Sequence, residues 1–226
     1  MESLETELER ARELDESALA DAIETIGFEC TRCGACCKGY DPEDAEPETD
    51  REPHTATVFP EEVRALQEAG DYDWRDVARP MPYGLTEGAD GPEGETFEWA
   101  LQTDSCGDCT FYTEAEDGTG TCTVHDDRPL ICRTYPFSVA LGGTSQPMGE
   151  AVDEAGMVRA HECEGLGREI SRTDAEALAG ALKERAIREL QEAIGVRDNY
   201  EPTRVDGVVV HDSEGAKRVD GRPVDE

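Results

Sequence analysis

The run CTRCGACCKG, residues 30–39, places four cysteines within eight positions: Cys30, Cys33, Cys36 and Cys37. Cysteines spaced by two residues can direct their sulfurs toward one centre, and zinc ribbons and iron–sulfur loops both use this spacing. Gly34 has no Cβ, so the backbone can pass close to the sulfurs there. Three cysteines in succession at this spacing are more typical of iron–sulfur ligation than of zinc ribbons, which use separated pairs. The run therefore predicts a metal site that organises the fold.

The adjacent pair Cys36–Cys37 adds a constraint to this prediction. Neighbouring side chains in extended or irregular chain point in different directions, so we expect that both rarely ligate one simple ion. Three arrangements stay open: the two thiols serve different metals, one of them bridges, or one is a redox thiol beside the metal.

The other cysteines are spread more widely along the chain: Cys106, Cys109, Cys122, Cys132 and Cys163. Their centre is CTVHDDRPLICRTYPF, residues 122–137. Ligands this far apart in sequence must be gathered by the fold, so metal binding would contribute to stability. Several basic residues lie within a few positions of a thiol, where they either lower thiol pKa values or form ordinary surface pairs: Arg32, Lys38, Arg128 and Arg133.

Composition limits the partners of the protein. The 226 residues include 21 Lys and Arg against 54 Asp and Glu, a net charge of −33. Such a charge repels nucleic-acid phosphate and anionic lipid, so we expect neither as a partner. The acids are interleaved with Leu, Val, Ile and Ala, which indicates a folded protein with an acidic surface. Because lysine is also scarce, we interpret the pattern as halophilic adaptation to a high-salt cytoplasm.

Nothing in the sequence resembles a secretory signal, and no apolar run approaches the length of a membrane-spanning helix. We therefore expect a cytoplasmic protein. In a reducing compartment, nine cysteines indicate metal or redox chemistry before disulfides, and an odd number cannot pair fully within one chain. The sequence contains no P-loop, dinucleotide-binding glycine pattern or nucleophile elbow, so we assign no catalytic residue.

Periodicity predicts an α+β fold with a small, irregular, metal-organised Cys-rich core, flanking helices and a few short strands. Residues 2–26 have the pattern of one amphipathic helix with Ser3 as a possible N-cap, and 41–54 form a Pro-rich acidic loop. A short helix begins at Pro60, and Gly-rich residues 84–95 are expected to be loop. The predicted strands lie within TFEWALQT, CTFYT, TCTVH, FSVAL and GMVRA. A helix over 173–194 starts with a Thr173–Glu176 capping box.

This pattern divides the chain into three parts: an N-terminal amphipathic helix (1–27), a cysteine-cluster metal-binding domain (28–196), and a peripheral hairpin or flexible tail (197–226). The aromatic residues Trp74, Phe97, Trp99 and Phe111 are expected in the core. His54 and His211 lie in polar contexts and are expected to be exposed to solvent.

Residues 28–165 resemble the CxxCxxCC family, which is described as zinc- or iron-chelating. The resemblance rests on Cys30-x2-Cys33-x2-Cys36-Cys37, on Cys109, and on C-x-V-H-x-x-R-P-x-x-C-R-x-Y-P-F; the segment VFPEEVRAL also fits. It implies eight metal-binding cysteines: Cys30, Cys33, Cys36, Cys37, Cys109, Cys122, Cys132 and Cys163. Cys106 is then an extra thiol, unless it replaces one of the eight. With eight thiols available, we expect His125 and His161 to hydrogen-bond near the site rather than ligate.

Three functions agree with this pattern. The favoured one is a metal-binding protein with an Fe–S cluster of the [4Fe–4S] type, a possible redox role and an unidentified protein or redox partner. The second is a Zn²⁺ protein with a structural, interaction or metal-chaperone role. The third is a cluster that accompanies a modifying enzyme, because flagellin lysine methylases carry a similar cluster. The sequence leaves open whether the protein is an enzyme, such as an Fe–S oxidoreductase-like one.

Overall fold

The computed structural model describes residues 2–40, 51–89, 91–141, 149–151 and 156–224. Most of the predicted Pro-rich acidic loop lies outside these ranges. The α-helices are α1 (Leu4–Arg12), α2 (Glu16–Ile26), α3 (Pro60–Ala69), α4 (Trp74–Val77), α5 (Leu130–Thr134) and α6 (Arg172–Asn199). The strands are β1 (Thr57–Val58), β2 (Ala78–Pro80), β3 (Leu85–Gly88), β4 (Gly91–Thr96), β5 (Trp99–Leu101), β6 (Tyr112–Glu114), β7 (Gly120–Cys122), β8 (Phe137–Val139), β9 (Glu150–Ala151), β10 (Val158–Ala160), β11 (Val208–Asp212) and β12 (Gly215–Lys217).

The mixed helical and strand content confirms the predicted fold class. The chain divides into two compact units, residues 1–31 with 130–194, and residues 32–129 with 195–226. The three-part division proposed from sequence stays a prediction. Among the described residues, no helix combines the length and the apolar composition needed to cross a bilayer.

In the first unit, the predicted single helix over 2–26 is in fact two helices. Ser3 caps α1 as expected, but α1 ends at Arg12. The Asp15 carboxylate then accepts hydrogen bonds from the amides of Ser17 and Ala18, so it starts α2. An Asp side chain satisfies amides that have no partner within the helix, and this favours a new start over continuation. The apolar stripe still faces one core, because Leu8, Leu19 and Ile23 are all buried.

The core of the first unit is formed by α1, α2, α6 and the strands β8 and β10, which pair within the sheet β8–β10–β9. Strands β8 and β10 lie inside the predicted segments FSVAL and GMVRA and pair antiparallel. Helix α6 is longer than predicted and ends at Asn199. The Thr173–Glu176 capping box is wrong, because the helix begins at Arg172 and the Ser171 hydroxyl accepts the amide of Asp174 at 3.1 Å.

The described residues of the second unit form three small sheets, with strand orders β1–β5–β2, β12–β11–β4–β3 and β6–β7. Strands β6 and β7 confirm the predicted strands that flank the turn at 116–120. The prediction of a loop over 84–95 is wrong, since β3 and β4 form a hairpin there. Strand β4 also pairs in parallel with β11, and these additional backbone hydrogen bonds outweigh the low strand propensity of its glycines.

Aromatic burial follows the prediction at three of four positions. Trp74, Trp99 and Phe111 are buried, whereas Phe97 is 48% exposed. Phe97 lies between β4 and β5 rather than within one continuous strand, so alternation does not direct it inward. Its ring instead stacks against His211 with centroids 5.5 Å apart.

Candidate metal centre

Residues 33–37 of the cysteine run fold into a tight turn in the second unit. Gly34 adopts a left-handed conformation (φ 75°), and a 3₁₀-helix follows over Ala35–Cys37. Its carbonyl accepts the amide of Cys37 at 2.8 Å. Because the chain is helical rather than extended here, the sulfurs of Cys36 and Cys37 lie only 3.9 Å apart. The expectation that these neighbouring side chains point in different directions is therefore wrong for this turn.

Two further cysteines lie beside this turn. The amide of Cys109 donates to the carbonyl of Cys37 at 2.7 Å, and the carbonyl of Cys109 accepts from the amide of Tyr112 at 2.9 Å. Tyr112 begins β6, and its partner directly across the β6–β7 ladder is Cys122. Paired residues on antiparallel strands project on the same face. The fold thus brings Cys36, Cys37, Cys109 and Cys122 into one region.

The electrostatic environments of these thiols differ. A hydrogen bond with Cys37 lowers the pKa of the Cys36 thiol to about 7, and the guanidinium of Arg128 lowers it further. Burial raises the pKa of Cys109 to about 11, and the charges of Cys122 and Cys36 also raise it, as expected for neighbouring thiols. Thiolate is the form that binds metals, so metal binding at Cys109 must release a proton.

Tyr112 is a residue of this region that sequence reasoning missed. Its ring packs on Gly34 of the cysteine turn and on Gly120 of β7. Its hydroxyl donates to the Glu114 carboxylate at 2.5 Å, and Lys38 forms an ion pair with the same carboxylate. Lys38, which was expected beside the thiols, thus has a carboxylate partner. No sequence pattern links residues this far apart in the chain, so only the fold identifies the contact.

Asp108 was also missed and anchors the chain that leaves the cysteine turn. Its Oδ1 accepts the amide of Gly39 at 2.9 Å and lies 2.9 Å from Nη1 of Arg51. Cys106, the extra thiol, is exposed, and its amide donates to Asp104 at 2.8 Å. Cys33 lies within the turn segment, next to Arg32, whose carbonyl accepts the amide of Gly120 at 2.7 Å.

The first unit carries Cys30, Cys132 and Cys163 on neighbouring segments. Phe28 and Leu166 form an antiparallel bridge. The backbone amide of Glu29 donates to the carbonyl of Gly165 at 3.1 Å, and the Thr31 hydroxyl donates to the Glu164 carboxylate. The residues on both sides of Cys30 therefore contact the turn that follows Cys163. The Cys163 sulfur accepts the amide of Gly165 at 3.4 Å.

Cys132 lies on α5, which is tied to the same turn. The Tyr135 hydroxyl donates to the carbonyl of Glu162 at 2.9 Å, and the amide of His161 donates to the carbonyl of Pro136 at 2.9 Å. Arg185 of α6 donates to the Thr134 hydroxyl at 3.0 Å. These bonds fix the end of α5 beside the segment that leads to Cys163.

The histidines occupy varied environments. The ring of His125 is 61% exposed and faces Asp126, while His161 packs edge-on against Tyr135. The expected exposure of His211 is wrong: it is only 1% exposed, because β11 is central in its sheet and Phe97 and Tyr200 cover the ring. His54 is half-buried rather than exposed, and burial lowers its pKa to about 4.

The available donors suit a thiophilic metal. All nine cysteines are described, and none forms a disulfide. Thiolate ligands select zinc, copper(I) and iron–sulfur clusters over hard cations. In the described ranges, no three His, Cys, Asp or Glu side chains already converge as a complete metal site. Within this donor set, the sulfurs of Cys36 and Cys37 lie 3.9 Å apart.

Comparison with known proteins agrees with this donor chemistry. The model of the CxxCxxCC family, described as "Putative zinc- or iron-chelating domain", matches residues 29–164. The match includes all nine cysteines. No curated protein and no solved structure shows significant similarity to the chain.

Proposed function

Because the chain belongs to the CxxCxxCC family of zinc- or iron-chelating domains, we propose that it holds a metal through cysteine thiolates, with Cys36 and Cys37 on the same ion. The observation that carries this proposal is the distance of 3.9 Å between their sulfurs. Four thiolates at the usual zinc–sulfur distance form a tetrahedron with edges of about 3.8 Å. The pair therefore already has the spacing of two ligands on one tetrahedral ion.

This spacing also distinguishes between metal centres. In a [2Fe–2S] cluster with four thiolates, each iron takes two, whereas in a [4Fe–4S] cluster each iron takes one. Two sulfurs on one edge of a tetrahedron suit a single zinc or iron ion, or one iron of a [2Fe–2S] cluster. They argue against the [4Fe–4S] type favoured by the triple spacing alone.

The proposed ligand set remains the eight cysteines. In the second unit the proposed ligands are Cys33, Cys36 and Cys37 of the turn, Cys109 before β6, and Cys122 at the end of β7. In the first unit the proposed ligands are Cys30, Cys132 and Cys163. When bound, the metal would neutralise the charge of the thiolates and crosslink the segments that carry them. The guanidinium of Arg128 favours the thiolate form of Cys36.

A redox role with an iron–sulfur cluster is the second candidate. The Cys30-x2-Cys33-x2-Cys36 spacing supports it, because this succession is typical of iron–sulfur ligation. A zinc centre would instead give a structural or partner-binding role. In either case we propose a protein partner rather than nucleic acid or membrane, because the net charge of −33 repels both of the latter.

Anaerobic purification followed by metal and acid-labile sulfide analysis tests the proposal. Zinc without sulfide would support the structural role, and equal amounts of iron and sulfide would support the redox role. Absorption and EPR spectra then identify the cluster type: a [2Fe–2S] cluster would agree with paired ligation by Cys36 and Cys37, and a [4Fe–4S] cluster would contradict it. A protein that binds neither zinc nor iron under these conditions would refute the proposal as a whole.

A further inference from the structure

The ring of Tyr112 fills the space between the cysteine turn and β7. A Cβ atom added to Gly34 would lie 2.2 Å from the Tyr112 hydroxyl oxygen and 2.4 Å from Cζ. A Cβ on Gly120 would lie 2.7 Å from Cε2 of the same ring. Both distances are far below van der Waals contact, so a Cβ at either position would displace the ring. The spacing of the cysteines alone does not specify which residues occupy positions 34 and 120.

The polar end of Tyr112 is fixed as well. Its hydroxyl donates to Glu114, which also pairs with Lys38, the residue directly after Cys37. The Lys38 ammonium lies 5.3 Å from the centroid of the Tyr112 ring. The two glycines therefore lie against the hydroxyl end of the side chain, where Glu114 accepts the hydroxyl and Lys38 lies over the ring.

Three contacts join the cysteine turn to the β6–β7 hairpin and to the segment that precedes β6. The carbonyl of Arg32 accepts the amide of Gly120 at 2.7 Å, and the carbonyl of Cys37 accepts the amide of Cys109 at 2.7 Å. Both hydrogen bonds lie at the ends of the turn. The Tyr112 ring is the contact in its middle, at Gly34.

We propose that Tyr112 is a positioning residue for the thiols, which sets the separation between the Cys33–Cys37 turn and the strand that carries Cys122. The proposal rests on the proposed metal binding for its functional consequence. In this role Tyr112 is not a metal ligand, because it acts on the thiols through the backbone of the turn. Residues that orient ligands typically contribute 10–100-fold, approximately, to metal affinity.

The first test uses the metal-free protein, so it does not depend on the proposed function. In Tyr112→Ala, we expect faster hydrogen exchange at the amides of Cys37, Cys109 and Gly120, which form or flank the contacts of the turn. Tyr200→Ala is the matched control, because Tyr200 is a partly exposed ring packed on Phe97 and His211. Unchanged exchange at these amides in Tyr112→Ala, or equal acceleration in the control, would overturn the proposal.

The second test measures Zn²⁺ affinity by competition with a chelator, and thiolate ligation by the absorption of Co²⁺-substituted protein. Tyr112→Ala should lose about 10–100-fold in affinity and shift the cobalt spectrum, whereas Tyr200→Ala should change neither. Tyr112→Phe should retain most of the affinity, because it keeps the ring. If Tyr112→Ala does not fold, Tyr112→Leu replaces it, and wild-type affinity in that variant would equally overturn the proposal.

A double-mutant cycle separates the contact from general destabilisation. Gly34→Ala alone should reduce Zn²⁺ affinity, because its Cβ displaces the ring. In the Tyr112→Ala background, the same substitution should cost less, leaving the strain of an alanine at φ 75°. Additive effects would show that the ring does not act through Gly34. Failure of wild-type protein to bind zinc, cobalt and iron would instead refute the proposed function and leave the exchange test decisive.

Discussion

The amide of Cys109 donates a hydrogen bond of 2.7 Å to the carbonyl of Cys37, which joins two cysteine segments that are distant in sequence. The bond lies next to the pair of sulfurs 3.9 Å apart. A backbone bond of this kind does not depend on metal, so part of the site geometry is set by the fold. The fold of the turn therefore holds the thiols of Cys36 and Cys37 side by side.

Serine replacement tests the shared ligation. Cys36→Ser and Cys37→Ser should each weaken zinc binding by more than about 100-fold, beyond the range of residues that only orient ligands. The two losses should be similar, because both thiolates bind the same ion. Cys106→Ser is the control: this thiol is exposed and outside the proposed set, so affinity should be unchanged. A large loss in only one of the adjacent pair would favour the other as a thiol beside the metal.

Asp108 should stabilise the segment that follows the cysteine turn. It accepts the amide of Gly39 and forms an ion pair with Arg51. Asp108→Ala leaves that amide and that guanidinium without their carboxylate, at a cost of about 1–3 kcal/mol. Urea unfolding of the metal-free protein measures this cost. Asp126→Ala, at a side chain that is 100% exposed, should change the free energy of unfolding by less than about 0.5 kcal/mol. Equal effects in the two variants would contradict the assignment.

The buried pair Lys217–Asp212 is a separate structural element of the second unit. Their charged atoms are 2.8 Å apart, with side chains 7% and 4% exposed, and Asp212 also accepts Trp99 Nε1 at 2.8 Å. Lys217→Met leaves the carboxylate without its cation, so we expect a loss of about 3–5 kcal/mol in the free energy of unfolding. Adding Asp212→Asn should recover part of it by removing the charge. A Lys217→Met protein as stable as wild type would contradict this expectation.

The cysteine spacing predicted a metal-binding domain, in agreement with the family match, because ligand spacing is a local property of the chain. It failed at Cys36–Cys37, where the backbone conformation decides whether the side chains diverge. The left-handed Gly34 and the following 3₁₀ turn were not encoded by spacing. Gly34 was expected to let the backbone pass close to the sulfurs, and the group that lies against it is the ring of Tyr112.

The fold was predictable where hydrophobic periodicity was continuous. The α6 helix and strands β8 and β10 lie close to their expected positions. Periodicity did not reveal the break at Asp15, because the apolar stripe continues on both sides of it. It also missed the β3–β4 hairpin, whose glycine-rich strand is stabilised by pairing with β11, more than a hundred residues later in the chain.

His54 predicts a pH dependence of stability. Burial lowers its pKa from 6.5 to about 4, Arg79 lowers it further, and Asp108 opposes them. Because the pKa of His54 is lower in the folded state than in the unfolded state, folding favours the neutral form of its ring. Its stabilising contribution is therefore complete above pH 6.5, decreases as the pH falls, and is lost near pH 4, a change of about 3 kcal/mol at most.

Urea unfolding of wild type and His54→Gln across this range measures the effect. The free energy difference between the two proteins should shift between pH 6.5 and 4 and be constant outside that window. The carboxylates titrate in both proteins, so their contribution cancels in the comparison. Parallel pH profiles would contradict a depressed pKa at His54.

The acidic surface predicts that salt stabilises the folded protein. The net charge of −33 makes the compact state repel itself, and screening shortens the range of that repulsion from about 10 Å at 0.1 M salt to about 3 Å at 1 M. Salt also weakens exposed pairs such as Arg172–Asp21 and Arg64–Glu214. Each such pair contributes little, and carboxylates outnumber cations by more than two to one, so repulsion dominates.

Thermal unfolding midpoints should therefore rise with KCl, mostly below about 1 M. NaCl at equal ionic strength should act alike, while sucrose at equal osmolality should raise the midpoint less. A midpoint that falls as KCl increases would show that these acids are not a halophilic adaptation.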